Sequence, residues 1–180
     1  MEMENLKNIR GEKEIQNRFL LREIQPEETE QAITIEQICF PPHEACSPAS
    51  MRERIAEAPE VFLVAVDRET GKLAGFLNGI ATRERAFRDE FFTDAGLHDR
   101  LGDTVMLLGL DVLPQYRRQG LAKAIVDCYL DRERERGRKR VILTCLAEKV
   151  GMYERMGFYN EGISASVWGA EQWYEMSYAL

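Results

Sequence analysis

The run Leu110-Asp111-Val112-Leu113-Pro114-Gln115-Tyr116-Arg117-Arg118-Gln119-Gly120-Leu121-Ala122 joins an apolar segment to an amphipathic one. A proline, two arginines and a glycine make the junction. Upstream, Val105 to Val112 is nearly continuous apolar sequence, the pattern of a strand covered on both faces. Downstream, Leu121, Ala124, Ile125, Cys128 and Tyr129 mark the buried stripe of a helix over about 119–136, with Gly137 placed to cap its end. Gly120 has no Cβ, so the backbone there lets a ligand come close. The first-turn amides of the helix have no intrahelical partner, and they sit at the positive end of its dipole. A strand, a tight basic turn and a helix N-terminus therefore form a site for a phosphate or pyrophosphate, to which Arg117 and Arg118 add charge. The motif lacks the spacing of a Walker A loop and of a dinucleotide fingerprint. On this hexapeptide alone, a plain strand–turn–helix with solvated arginines is equally open.

Outward from that junction, the pattern is a mixed α/β domain. Phe19 to Ile24 is a first strand. Pro26, Glu27 and Glu28 open a helix whose apolar face is Ala32, Ile33, Ile35, Ile38 and Cys39, and Phe40-Pro41-Pro42 ends it. A short helix over about 48–58 follows. Val61–Val66 and Leu73–Ala81 are the arms of a hairpin around Thr70-Gly71. Residues 83–102, with Phe87, Phe91, Phe92 and Leu97, form a helix or ordered loop over the sheet. After the long helix come a strand at Val141–Cys145, a short helix over 148–156 that stops at Gly157, and two strands, Phe158–Trp168 and Trp173–Ala179. The expected sheet has about 6–7 strands with helices on both faces. The expected organisation is a polar N-terminal extension, 1–18, and a single domain, 19–180.

Composition narrows the function. The 180 residues suit one domain that buries roughly two-thirds of its surface without a staple. A net charge of −7 argues against a broad nucleic-acid face, although not against one local anion site. No apolar run is long enough to span a bilayer, and the charged N-terminus has no secretory pattern. Cys39, Cys46, Cys128 and Cys145 show neither a paired nor a metal-ligand spacing, so no metal is expected, and reduced thiols suit a cytoplasmic protein. Arg132, Arg134, Arg136, Arg138 and Arg140, interleaved with Glu133 and Glu135, are expected to be a solvated helix end.

Arg117 to Ala122 fits the R/Q-x-x-G-x-G/A signature of the GNAT superfamily of N-acetyltransferases, in the setting where that family has it. Downstream, Tyr153-Glu154-Arg155-Met156-Gly157-Phe158 resembles the family's second signature, Tyr-Glu-x-x-Gly-Phe. The spacing leaves room for one helix and one strand, and the resemblance covers about 19–180. Within the superfamily, Arg117-Arg118-Gln119-Gly120, Leu143-Thr144-Cys145 leading to Tyr153, Gly162-Ile163-Ser164 and the terminal Glu175 to Leu180 resemble the arylalkylamine (serotonin) N-acetyltransferase branch.

The resemblance implies transfer of an acetyl group from acetyl-CoA to a primary amine by direct attack. It implies that the cofactor's pantetheine arm lies beside the central strand, paired with the main chain of Leu110 and Val112. The amides of Arg118, Gln119, Gly120, Leu121 and Ala122 would hold the pyrophosphate, and an N–H near Leu110 would polarise the thioester carbonyl. Tyr153 maps onto the tyrosine beside the cofactor sulfur, a proton donor to the leaving thiolate. Met106 and Leu108 occupy the positions of two histidines in the vertebrate members of the branch, and neither titrates. His43, Glu44, Glu84, Asp103 and Asp111 remain as candidate bases, as does water. By alternation, Asp111 falls on the strand face opposite Met106 and Leu108 unless a bulge intervenes.

An acceptor would enter over Phe40 to Ser47 and the edge near Ala81 to Phe92. Phe40-Pro41-Pro42 is either a stiff apolar wall suited to an aromatic amine or a helix stop packed on the core. The expected partner is a small-molecule amine, an arylalkylamine or a polyamine. A protein N-terminus or lysine is the alternative acceptor, and a non-catalytic acyl-CoA-binding module is the alternative class. Trp168 and Trp173, flanking Gly169, fit either core packing or a homodimer contact. Cys145 is expected to be a small packing residue.

Overall fold

Thr104–Val112 forms strand β4, and every side chain in it is buried except that of half-buried Leu110. A strand this apolar needs cover on both faces, and the rest of the chain supplies it. The computed structural model describes residues 11 and 13–180. β1 (Phe19–Glu23) leads through a 3-10 turn at Pro26–Glu28 into α1 (Thr29–Cys39) and α2 (Pro48–Glu57). Then come β2 (Phe62–Asp67), β3 (Leu73–Thr82), two 3-10 turns at Asp89–Phe92 and Ala95–Leu97, and β4. α3 (Leu121–Glu135), β5 (Arg140–Cys145), α4 (Ala147–Arg155), β6 (Tyr159–Ile163) and β7 (Tyr174–Ala179) complete the chain.

The seven strands lie in the order β1-β2-β3-β4-β5-β7-β6. All neighbours are antiparallel except β4 and β5. α1 and α2 cover one face, packing Ala32, Ile33, Ile35, Met51 and Ile55 on Phe62, Val64 and Phe76. α3 covers the other face with Leu121, Ile125 and Tyr129. The Tyr129 hydroxyl donates to the Val61 carbonyl at 2.9 Å, which satisfies its one buried polar atom. At the start of α2 the Ser47 hydroxyl accepts from the Ser50 amide, and Pro48 takes the first helical position.

Two expectations need correction. The strand expected over Phe158–Trp168 ends at Ile163. Ser166 and Val167 are captured there by Asp89, whose carboxylate accepts the Val167 amide at 3.0 Å, and the Ser164 hydroxyl accepts from the Ser166 amide. The chain turns away from the sheet and carries Trp168 into a 3-10 turn, Trp168–Ala170. The arginine-rich end of α3 is also not simply solvated. Glu133 is fully buried and takes hydrogen bonds from Arg136 and Arg138, and Arg138 also donates to the carbonyls of Arg100 and Gly102. Arg132 and Arg136 both reach Glu23 at 2.7 Å. The charges of that segment close a buried seam between α3, β1 and the loop before β4.

Candidate functional site

β4 and β5 pair at only three positions, Thr104 with Arg140 through Met106 with Ile142. Beyond them the strands part, while β4 continues to pair with β3 as far as Gly75 opposite Val112. The Leu113 amide donates to Ala74 of β3. Main-chain direction alternates along a strand, so the groups of Leu110 and Val112 turn away from β3 and toward the gap. The Val112 carbonyl accepts Arg117 Nε at 2.8 Å and the Cys39 thiol at 3.5 Å. A cleft of about 770 Å³ occupies the gap, lined by both strand ends, the turn before α3, and α4.

The Arg117–Gly120 turn closes one end of the cleft. Arg118 and Gly120 both have positive φ, 59° and 87°. This left-handed backbone turns successive N–H groups to one side, as in anion-binding nests. Gly120 caps α3 without a side chain, and the amides of Arg118, Gln119, Gly120, Leu121 and Ala122 have no protein acceptor among the described residues. The side chains around the turn are committed elsewhere. Arg117 folds back on Val112, and Gln119 donates to the Gln115 carbonyl and accepts from Arg18. Main-chain donors, with the exposed Arg118 guanidinium beside them, are therefore what this end of the cleft offers an anion.

Tyr153 of α4 stands on the cleft wall, with its ring edge-on to Phe158 at 5.6 Å. Burial pushes its phenol well above its ordinary pKa, and Cys145 and Asp111 add to the effect, so it stays protonated at neutral pH. Cys145 also lines the cleft, and burial raises its thiol to about 11.

Part of the cleft wall is aromatic. Phe40, Pro41, Phe92, Trp168 and Trp173 form it, and Phe92 stacks against Trp168 at 4.8 Å. Trp168 Nε1 donates to the Glu44 carbonyl and Trp173 Nε1 to the Trp168 carbonyl, so both indoles are held in place. Phe40-Pro41 is thus both a helix stop and a wall, whereas Phe87 and Phe91 belong to the core. Both tryptophans follow from the turn that ends β6 early, a change of direction without a periodic signal in sequence.

The candidate bases separate clearly. Glu84 pairs with Arg88, and Asp103 with Lys139; neither lines the cleft. His43 is half exposed at the rim, 3.4 Å from Glu44 and 3.3 Å from Glu171. Glu44 lines the cleft, and burial raises its pKa. Asp111 is fully buried against Glu36 of α1, which sequence reasoning did not single out. Its signal was present: with buried Ala32 and Ile35 and half-buried Cys39 it completes the inward-facing i, i+3, i+4, i+7 stripe of α1, where an acid is out of place.

A mixed sheet that opens between its parallel strands, above a turn of unpaired amides, is the architecture of an acyl-CoA-dependent acyltransferase. The Acetyltransferase (GNAT) family model matches residues 27–158, and the chain belongs to that family. No curated protein matches it in sequence. Among solved structures it resembles the GphF GNAT-like decarboxylase in complex with isobutyryl-CoA (20% identity, TM-score 0.76, 89% of this chain and 98% of that one). It also resembles the ribosomal-protein-S18-alanine N-acetyltransferase from Escherichia coli (20%, 0.65, 89% and 93%). A third is the phosphinothricin acetyltransferase from Sinorhizobium meliloti in complex with AcCoA (17%, 0.65, 90% and 88%). At these identities the likeness is one of fold. Among the described residues, no helix is long and apolar enough to cross a membrane.

Proposed function

We propose that this protein transfers the acetyl group of acetyl-CoA to the primary amine of a small molecule, an arylalkylamine or a polyamine. The observation that carries the reading is the opening between β4 and β5, bordered by unpaired amides and by an aromatic wall. The amides of Arg118 to Ala122 would hold the pyrophosphate, and the gap-facing main chain of Leu110 and Val112 would take the pantetheine arm. Acetyl-CoA supplies the activated acyl group. The Leu110 N–H would polarise its carbonyl, a contribution of about 3 kcal/mol for one such donor. Tyr153, protonated at neutral pH, would give its proton to the departing thiolate. Phe40, Phe92, Trp168 and Trp173 favour an aromatic amine, and the acids Glu44 and Glu36 on the cleft favour a cation.

The test is release of CoA from acetyl-CoA against tryptamine, phenethylamine, spermidine and a short lysine peptide. Turnover with an aromatic amine is expected. Tyr153→Phe should lower kcat by about a hundredfold or more and leave acetyl-CoA binding within about twofold, the range of a lost general acid. Preference for the peptide would replace the small-molecule reading with a protein acceptor. Acetyl-CoA binding with no turnover on any amine would leave a binding module.

A further inference from the structure

An amine reaches such a cleft chiefly as its ammonium ion, and it must lose a proton before it can attack. The β4 positions nearest the opening between the strands, Met106, Leu107 and Leu108, carry no group that could take it. The register of β4 brings another residue onto their side. Ile80 pairs with Met106, Asn78 with Gly109 and Phe76 with Asp111, and Leu108 is the extra residue of a bulge between Gly79 and Asn78. Paired residues share a face and every second residue of β3 points the same way, so the bulge puts Asp111 on the same face as Met106. That is the face covered by α1, and Glu36 meets it there.

Five buried side-chain atoms among the described residues lack a hydrogen-bond partner, and four are together here: Glu36 Oε2, both carboxylate oxygens of Asp111, and Arg54 Nε. The rest of the cluster is tied down. Glu36 Oε1 accepts the Cys46 amide at 2.8 Å, and Arg54 donates to Asn78 Oδ1 and to the Phe92 carbonyl. Glu36 lines the cleft. Gly109 lies between cleft and pair, where a Cβ would stand 3.2 Å from Asp111 Oδ2 and 3.6 Å from Glu36 Oε2. Two facing carboxylates cannot hydrogen-bond to each other; with one proton between them they can, and their remaining negative charge then offsets that of Arg54.

We infer that Glu36 and Asp111, sharing one proton, form the acceptor for the ammonium proton of the substrate, with Glu36 meeting the amine and Asp111 positioning and tuning Glu36 from behind. The inference rests on the acetyl-transfer reading above and names its base. The ammonium gives one proton to the singly ionised pair, which becomes neutral. The free amine attacks the acetyl carbon, a C–N bond forms and the C–S bond breaks. The thiolate takes a proton from Tyr153, and the second amine proton restores the tyrosine. The pair returns its extra proton to solvent. The balance is ammonium plus acetyl-CoA giving amide, CoA thiol and one proton.

Burial raises the pKa of both acids, and the facing Glu36 carboxyl raises that of Asp111 further, which favours a proton held on the pair. The charged and titratable groups facing it are Arg54 from α2, Cys39 from α1, Cys46 from the α1–α2 connection, Arg117 beyond β4 and Tyr153 across the cleft. Burial holds the Cys39 and Cys46 thiols at about 11 and about 12, so neither competes for the titration near neutrality.

The test uses Glu36→Gln and Asp111→Asn in the full chain, with acetyl-CoA binding confirming that each has folded. With tryptamine at neutral pH, Glu36→Gln should lower kcat/KM by about a hundredfold or more. The deficit should shrink for trifluoroethylamine, which is largely unprotonated there. Asp111→Asn replaces the carboxyl whose shared proton holds the Glu36 pKa down by a weaker amide donor, so the acid limb of the pH profile should move to higher pH, a shift that a merely structural role would not produce. A readout without turnover is the infrared band of a protonated carboxyl, expected in the wild type at neutral pH and absent from Asp111→Asn. Wild-type turnover with unchanged variants, an unmoved acid limb, or no carboxyl band would each overturn this inference alone. A wild type that binds acetyl-CoA and acetylates no amine would overturn the acetyl-transfer reading, and this inference with it.

Discussion

Two groups of buried charge sit in this domain on opposite sides of the sheet's centre, and they are built differently. In the first, Glu133 faces Arg138 and Arg136, and the guanidinium of Arg138 is also taken up by two main-chain carbonyls. Among the described residues no side-chain atom of that group is left buried without a partner. In the second, Glu36, Asp111 and Arg54 leave four such atoms. A satisfied cluster of charges fixes chain segments relative to one another. An unsatisfied one costs stability and persists beside a cleft, where an unpaired acid has chemistry to perform. The difference lies in the accounting of donors and acceptors rather than in the kinds of residue.

The contrast can be broken most sharply at Glu133. Glu133→Ala leaves Arg138 buried and without its anion, and should cost about 3–5 kcal/mol, lowering the melting temperature by roughly 6–20 °C. Urea unfolding would check it, and a loss under about 1 kcal/mol would remove the distinction drawn here. Asp111→Asn should behave in the opposite way. The folded pKa of Asp111 is raised above its unfolded value, so the unfolded chain gives up its proton first. Wild-type stability therefore falls as pH rises from the ordinary carboxylate range toward the folded pKa. The asparagine variant escapes that loss. It should be as stable as the wild type at neutral pH, or more stable by up to about 2 kcal/mol, with the advantage fading toward pH 4. Unfolding measured across a pH series would show the trend. Smallest is the effect of Glu23→Gln at the partly exposed rim of the first cluster. It should cost less than about 1 kcal/mol, and less still in high salt.

Much of the fold was legible because its strands and helices keep strict periods. The apolar run of β4, the stripe of α3 and the glycine at its start placed the strand, the turn and the helix correctly. What stayed hidden depended on groups distant in sequence. Asp111 could not be assigned to a face because one inserted residue, Leu108, reverses the alternation, and a bulge has no sequence mark here. The arginines after Tyr129 looked solvated because their anions, Glu23 and a helix-interior Glu133, are found only once β1 packs beside α3. Trp168 reached the cleft because Asp89 holds the chain after β6, a contact across 78 residues. Glu36 was the exception, a misfit on the buried stripe of α1 that the helical period alone exposes.

The three residue pairs joining β4 to β5 have a thermodynamic consequence. With the Lys139 and Arg140 amides that donate to the Asp103 carbonyl just before them, they join a four-stranded half of the sheet to a three-stranded half, so much of that seam is left for a ligand to fill. An acyl-CoA lying there would act as part of the fold. Binding only the native state, it would add about 2.7 kcal/mol to the unfolding free energy at a hundred times its dissociation constant. For this protein, thermal stability would then depend on the concentration of its own cosubstrate.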